Sequence, residues 1–241
     1  AWRNTESAPL RFVVLGDNQP YGTEALGQPD VFKQIVKEIA AQKPELVMHV
    51  GDHISGETSK ADFLGQMWDE YSDVTAAWKM PVYHAAGNHD IYNPLSEKVY
   101  KERFGQPLYY SFDRGGCHFI VLNSEELGRN STITGDQLAW LKNDLAANKS
   151  GGPVFVFIHK PLWVDYDWQT YQPNAWNRDV HPLLRQYGVT AVFAGHDHRY
   201  AKSEKDGIRY IITGGAGGPF YAPPPNTAEG EFHHYCQVTV Q

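Results

Sequence analysis

The pair His196 and His198, separated by Asp197 and preceded by Gly195, carries the clearest chemical signal in this 241-residue chain. Two imidazoles at i and i+2 on extended backbone point to the same side, and a strand that ends in Gly presents both at its carboxyl edge. Metal ligands are delivered in this way. Taken alone, a His-x-His also occurs as a surface tract or as packed core. Here, however, four other apolar runs end in the same kind of group. Asp17 and Gln19 follow the run at residues 12–16, Asp52 follows 46–51, Asn88, His89 and Asp90 follow 81–87, and His159 follows 154–158.

The candidate donors are therefore Asp17, Gln19, Asp52, Asn88, His159, His196 and His198. Oxygen and imidazole without thiolate suits first-row ions such as Mn, Fe, Zn or Co. The set is too large for one tetrahedral ion and fits two ions that share a carboxylate, about 3.5–4 Å apart in two-metal hydrolases. Two divalent cations offset by two aspartates leave the site at about +2, which attracts a phosphate and lowers the pKa of a shared water. A hydroxide nucleophile made in this way needs no protein base.

These donors require strands to carry them and helices to pack the strands. Apolar spacing predicts helices over about residues 29–42, 60–79, 95–104 and 178–187. In the second of these, Phe63, Met67, Tyr71, Val74 and Trp78 recur at helical period and read as core. Thr134 with Gln137 reads as a capping box opening a further helix with Leu138, Leu141 and Leu145 on its inner face. Residues 109–113 and 117–123 flank Arg114-Gly115-Gly116 as a β-hairpin, and 208–213 and 235–240 close the chain as strands. Strands alternating with helices, plus hairpins, imply one layered α/β domain over residues 1–241, with its site at the carboxyl ends of parallel strands.

Composition narrows the partners. A formal net charge of -7 opposes a phosphate backbone, and no basic run is interleaved with aromatics, so bulk nucleic acid is not an expected partner. No stretch approaches the roughly 20 apolar residues of a membrane-spanning helix, and a membrane is not expected either. The polar lead-in from Ala1 suits a mature form after signal removal, which favours a secreted or periplasmic location over a cytoplasmic one. Cys117 and Cys236 lie in expected strands and read as buried thiols, with one disulfide as the alternative.

As a set, Gly16-Asp17-x-Gln19, Gly51-Asp52, Gly87-Asn88-His89-Asp90, the strand-end His159 and Gly195-His196-x-His198 resemble the five motifs of calcineurin-like metallophosphoesterases, in order and over residues 16–198. The resemblance implies a four-layer α/β/β/α sandwich of two packed mixed sheets. It assigns one ion to Asp17, Gln19, Asp52 and His198 and the other to Asp52, Asn88, His159 and His196, with Asp52 bridging. It also implies that His89 is the acid that protonates the leaving oxygen. Asp90 either orients His89 or caps the following turn, and Asp197 supports the ligands without joining them.

Three departures qualify the resemblance. Gln19 stands where most members have His, and a neutral carboxamide oxygen is a weaker ligand. Ser55 stands where purple acid phosphatases of this superfamily supply a tyrosine ligand, so an iron-tyrosinate colour is not expected. It also stands where protein phosphatases carry a second Asp, and no Arg-Gly follows, which disfavours a phosphoprotein substrate. His53, beside Asp52, reads as a substrate contact or a surface residue; His49, His84, His118 and His181 read as packing or surface.

The aromatic-rich loop after His159 is the candidate for substrate selection. Trp163, Tyr166, Trp168 and Tyr171, with Tyr221 opposite, either wall a pocket for an apolar leaving group or pack the loop on the body. The implied activity is hydrolysis of small phosphate esters, with monoesters and diesters, nucleotides included, left open. A metal-free binding scaffold is the alternative from another class.

Overall fold

The computed structural model describes residues 9–164, 175–220, 230 and 232–241. Ten strands form two mixed sheets. In the first, the order is β10 (Cys236–Val240), β1 (Leu10–Leu15), β2 (Leu46–His49) and β3 (Val82–His84), with β1, β2 and β3 parallel and β10 antiparallel to β1. The second runs β4 (Tyr110–Arg114), β5 (Cys117–Val121), β6 (Val154–Phe157), β7 (Ala191–Ala194), β9 (Ile208–Thr213) and β8 (Tyr200–Lys205). Its four central strands are parallel and its two hairpin strands antiparallel.

The strands that carry donors are short and apolar on both faces, as buried parallel strands must be. The sequences LVMH in β2, VFVF in β6 and AVFA in β7 are buried throughout. One face of each sheet meets the other sheet: the Phe12 ring sits 5.3 Å from Phe119 and 5.2 Å from Phe155, edge to face. Met48, Val121, Phe157 and Phe193 fill the rest of that layer. The opposite faces are covered by helices. Val13, Leu15 and Val47 pack under α1 (Asp30–Gln42), α2 (Ala61–Thr75) and α3 (Pro94–Phe104). Ile120, Val156 and Val192 pack under α4 (Gly135–Ala147) and α5 (His181–Gln186). This is the four-layer α/β/β/α sandwich.

Several local expectations differ from the structure. The second helix ends at Thr75, whose hydroxyl donates to the Tyr71 carbonyl at 2.8 Å, and Trp78 lies beyond it. Trp78 is nevertheless buried and its indole N–H donates to the Val36 carbonyl at 3.1 Å, so its spacing reported burial and not helix. Thr134 makes no side-chain cap. Gln137 instead accepts from the Asn123 N–H at 2.8 Å and donates to the Asn123 carbonyl at 3.0 Å, bracing the end of β5. A true capping box forms at Asn93 and Ser96, with Pro94 at the first helical position. The helix expected near 178–187 is a π-helical turn, Trp176–Val180, running into α5. Cys117 and Cys236 are free thiols. Among the described residues, no helix is long and apolar enough to cross a membrane.

Candidate metal centre

The parallel strands of both sheets end at one edge, and backbone hydrogen bonds stitch the ends together. The Asp17 N–H donates to the Gly51 carbonyl at 2.9 Å, Asn18 N–H to the Asp52 carbonyl at 3.1 Å, and Gly195 N–H to the His159 carbonyl at 2.9 Å. Between the sheets, the His196 N–H donates to Asp17 Oδ1 at 2.7 Å. Asp17, Asp52 and His196 hold left-handed backbone, with φ of 63°, 57° and 67°, a conformation that costs an L-residue about 1–2 kcal/mol. Among the described residues, half of the six non-glycine residues in that conformation are thus proposed donors, so the strain falls where side chains must converge. Two glycines make room for them. A Cβ at Gly87 would collide with the Asp52 carboxylate, and one at Gly195 with that of Asp17.

Two donor groups result, and they share Asp52: Asp52, His159 and His196 in one, Asp17, Asp52 and His198 in the other. In the first, the His159 Nδ1–H donates to the Val50 carbonyl at 2.8 Å, which fixes the tautomer and leaves the Nε2 lone pair facing inward. That Nε2 lies 3.1 Å from Asn88 Oδ1, 3.1 Å from His196 Nδ1 and 3.3 Å from Asp52 Oδ2. In the second, the His198 Nδ1–H donates to the Pro219 carbonyl, and Nε2 faces Asp17 Oδ1 at 3.6 Å and the Gln19 amide at 3.1 Å. The Gln19 Nε2 also lies 3.4 Å from Asp52 Oδ2, while its buried Oε1 has no partner. A half-turn of the amide exchanges the two atoms and brings a donor oxygen into the group.

These atoms fit cations. Asp17 Oδ2, like Gln19 Oε1, is buried without a hydrogen-bond partner beside the other converging donor atoms. In the polypeptide alone, protons take the compensating role. Burial, with the Asp52 charge adding and His159 opposing, pushes the Asp17 carboxyl well above its usual range. Burial alone would lower the His159 imidazole, but Asp52 and Asp17 outweigh it and raise the group to about 10. Cations bound there displace such protons.

Around the donors lies a layer of polar residues whose roles differ from expectation. The Asp90 carboxylate accepts the N–H groups of Asp52 and His53 at 2.9 Å, of Gly87 at 2.8 Å, and the His53 Nδ1–H at 2.8 Å. It braces the left-handed turn that presents Asp52, because that turn aims successive N–H groups at one point. Among the described residues, the Glu57 carboxylate, which sequence reasoning missed, lies 3.9 Å from His89 Nδ1. The His89 N–H donates to Asp52 Oδ1 at 3.0 Å. Asp197 is buried, lies 3.6 Å from the Arg199 guanidinium, and joins neither donor group.

His53 is fully buried and is neither a surface residue nor a substrate contact. Its ring stacks 3.7 Å from His49, and its Nε2 meets His84 Nδ1 at 2.9 Å, inside a wall of Trp68, Tyr71 and Phe104. His49 accepts the Gly51 N–H on Nδ1 and therefore donates from Nε2 to Asn18 Oδ1 at 2.6 Å. Asn18, also missed, passes the connection to Gln28 at 2.7 Å and to the His53 carbonyl at 2.8 Å. His118 bridges Asp113 and Asp144, and His181 bridges Tyr210 and Asp206, both in structural positions.

Burial, with the rings of His53 and His84, holds the His49 imidazole well below its ordinary range. The unfolded chain takes up a proton below about pH 6.5 that folded His49 refuses, so this group's contribution to stability is present above that pH and lost as pH falls. The loss reaches at most about 1.4 kcal/mol per pH unit for one group. Melting curves from pH 8 to 5 should therefore fall less steeply for His49→Asn than for the native chain. Parallel curves would mean that His49 is not held neutral.

Of the expected pocket residues, Trp163 packs into the outer core, its ring 4.8 Å from Tyr210 and 5.8 Å from Trp176. The ring is partly buried and packs the start of the loop on the body of the protein, the packing role being one of the two expected for it. Tyr166, Trp168, Tyr171 and Tyr221 lie outside the described residues.

The comparison with known proteins agrees with this geometry. The sequence profile of the calcineurin-like phosphoesterases matches residues 10–200, the stretch that spans both donor groups. Tartrate-resistant acid phosphatase type 5 of Oryctolagus cuniculus is 30% identical over 250 residues, covering 88% of this chain and 74% of that protein. Purple acid phosphatase 23 of Arabidopsis thaliana is 36% identical over 141 residues, 53% of this chain, and the match spans 30% of that relative's own length. The fold superimposes on purple acid phosphatase PPD1 from yellow lupin (Lupinus luteus) seeds with a TM-score of 0.72 at 19% identity, over 98% of this chain and 50% of that one. With the motif residues gathered at one edge and the family match running from β1 to the start of β8, the chain belongs to the calcineurin-like phosphoesterases.

Proposed function

We propose that this chain hydrolyses small phosphate esters at a two-cation centre, with Asp17, Gln19, Asp52 and His198 holding one ion and Asp52, Asn88, His159 and His196 the other. The observation that carries this reading is the pair of donor groups sharing Asp52. When bound, two divalent or trivalent ions such as Mn, Fe or Zn offset the phosphoryl charge and lower the pKa of a water they share. The protein's part is to hold the donors at fixed separation: Val50 and Pro219 orient the imidazoles, and Asp90 braces the Asp52 turn. Names of the relatives favour a phosphatase over a scaffold, and each proposed ligand position here carries a competent donor.

His89 is the acid in this reading. Glu57, 3.9 Å from Nδ1, is an acidic side chain beside its ring. Ser55 donates its hydroxyl to the Pro20 carbonyl at 2.8 Å and offers no tyrosinate-like ligand, so the loaded protein should lack the charge-transfer colour of an iron-tyrosinate.

The test uses the full chain stripped with a chelator, reloaded with Mn, Zn or Fe, and assayed on mono- and bis-nitrophenyl phosphate. Activity that is lost on stripping and restored by a metal supports the reading. Turnover of the bis ester alone would move the substrate class to diesters. Hydrolysis indifferent to stripping, or none with any ion, would reject the two-cation reading.

A further inference from the structure

Beyond the motif residues, one buried ion pair lies beside the donor group of Asn88, His159 and His196. Lys160 follows His159 directly and is 6% exposed; Glu125, on the connection that leaves β5, is 3% exposed. The Lys160 ammonium donates to Glu125 Oε2 at 2.6 Å. Both charges are held in place. The Ser124 hydroxyl donates to Glu125 Oε1 at 2.7 Å and accepts the Lys160 N–H at 3.1 Å. The Glu125 N–H donates to Asn123 Oδ1 at 2.9 Å, and Gln137 clamps the Asn123 backbone from α4.

Because β5 pairs with β6 and β6 with β7, the pair sits on the same carboxyl edge as His159 and His196. Burying two charges is expensive, and a hydrophobic pair of similar volume often serves stability as well or better. Stability alone therefore does not account for a Glu and a Lys here. Lys160 is the residue after the proposed ligand His159, and the Ser124 hydroxyl joins its N–H to Glu125 Oε1, so both charges are fixed against the end of the strand that delivers that ligand. Two fixed charges beside a cation site act on it with opposite sign, and more strongly than in water.

We propose that the Glu125–Lys160 pair sets the cation affinity of the position formed by Asp52, Asn88, His159 and His196, Glu125 strengthening it and Lys160 opposing it. The inference rests on the ligand reading above. Neither residue touches the ion; each acts on the site through its charge, and the pair keeps the two effects nearly balanced.

The test is Mn titration calorimetry of the chelator-stripped full chain, comparing the native protein with Glu125→Gln, Lys160→Met and the double variant. Glu125→Gln should weaken one of the two binding steps about tenfold and Lys160→Met should tighten the same step about tenfold, the scale of a unit charge at an effective dielectric near 20. The double variant should return to within about threefold of native. If Lys160→Met alone does not fold, weakening by Glu125→Gln and recovery in the double variant carry the same sign pattern. A merely structural pair would weaken binding in both single variants as their melting temperatures fall, and that result, or no change in any variant, would overturn the proposal. Asp52→Asn in the same titration separates the two readings. If it keeps both steps, the ligand assignment fails; if it loses them while the sign pattern is absent, only the charge-pair inference fails.

Discussion

Asp52→Asn is expected to lose both metal occupancy and turnover, by at least about 100-fold in affinity, since even the loss of an outer partner of a metal ligand costs 10–100-fold. The effect should be large because one carboxylate belongs to both donor groups. Asparagine is isosteric and its Oδ1 can still accept the His89 N–H, so the change removes charge and a donor oxygen while keeping the local hydrogen bond. Asp197→Asn is the control: the residue lies between two proposed ligands in sequence and joins neither group. Elemental analysis and turnover on the same preparations check the prediction. Two ions per chain and near-native rates in Asp52→Asn would make the shared-carboxylate assignment wrong.

His89→Ala should retain both ions and lose about 10²- to 10⁴-fold in rate on alkyl phosphate esters, the range for one general acid. The loss should be much smaller for a nitrophenyl ester, because nitrophenolate leaves without needing a proton. Asn88 precedes His89 and would keep its Oδ1 near His159, so metal content should be unaffected by the truncation. Equal losses on the two ester types would assign His89 to phosphate binding or to support of Asn88 instead of proton transfer.

Much of the centre was legible because it is written in short-range pattern. A parallel strand here is a continuous apolar run, its end is marked by Gly, and the donor stands one to three residues further on; β1, β2, β3 and β7 obey this, while β6 runs through Ile158 into His159 without a Gly. The layered α/β class followed from the same alternation, and the two packed sheets from the family resemblance. The supporting residues were illegible for the opposite reason. Asp90 meets the backbone of residues 52 and 53, 38 and 37 positions away, and nothing near it in sequence marks those partners. Gln137 has the right spacing for a capping box, yet folding places Asn123 within its reach and the tertiary contact takes precedence. Nothing in the sequence pairs Lys160 with Glu125, 35 positions away, until the loop after β5 folds against the end of β6. His53 looked accessible because it neighbours Asp52, but the left-handed turn at Asp52 sends its ring inward onto His49 and Trp68. For Trp163 the sequence left pocket and packing open, because proximity to His159 in the chain says nothing about which side of β6 a ring takes; its partly buried ring packs on the outer core.

The central claim is that two cations share Asp52, and anomalous diffraction from crystals of the full chain loaded with Mn tests it most directly. Two peaks about 3.5–4 Å apart are predicted. One should lie within bonding distance of Asp17, Asp52 and His198, the other of Asp52, Asn88, His159 and His196. A single peak at full occupancy, or two peaks of which either avoids Asp52, would contradict the account.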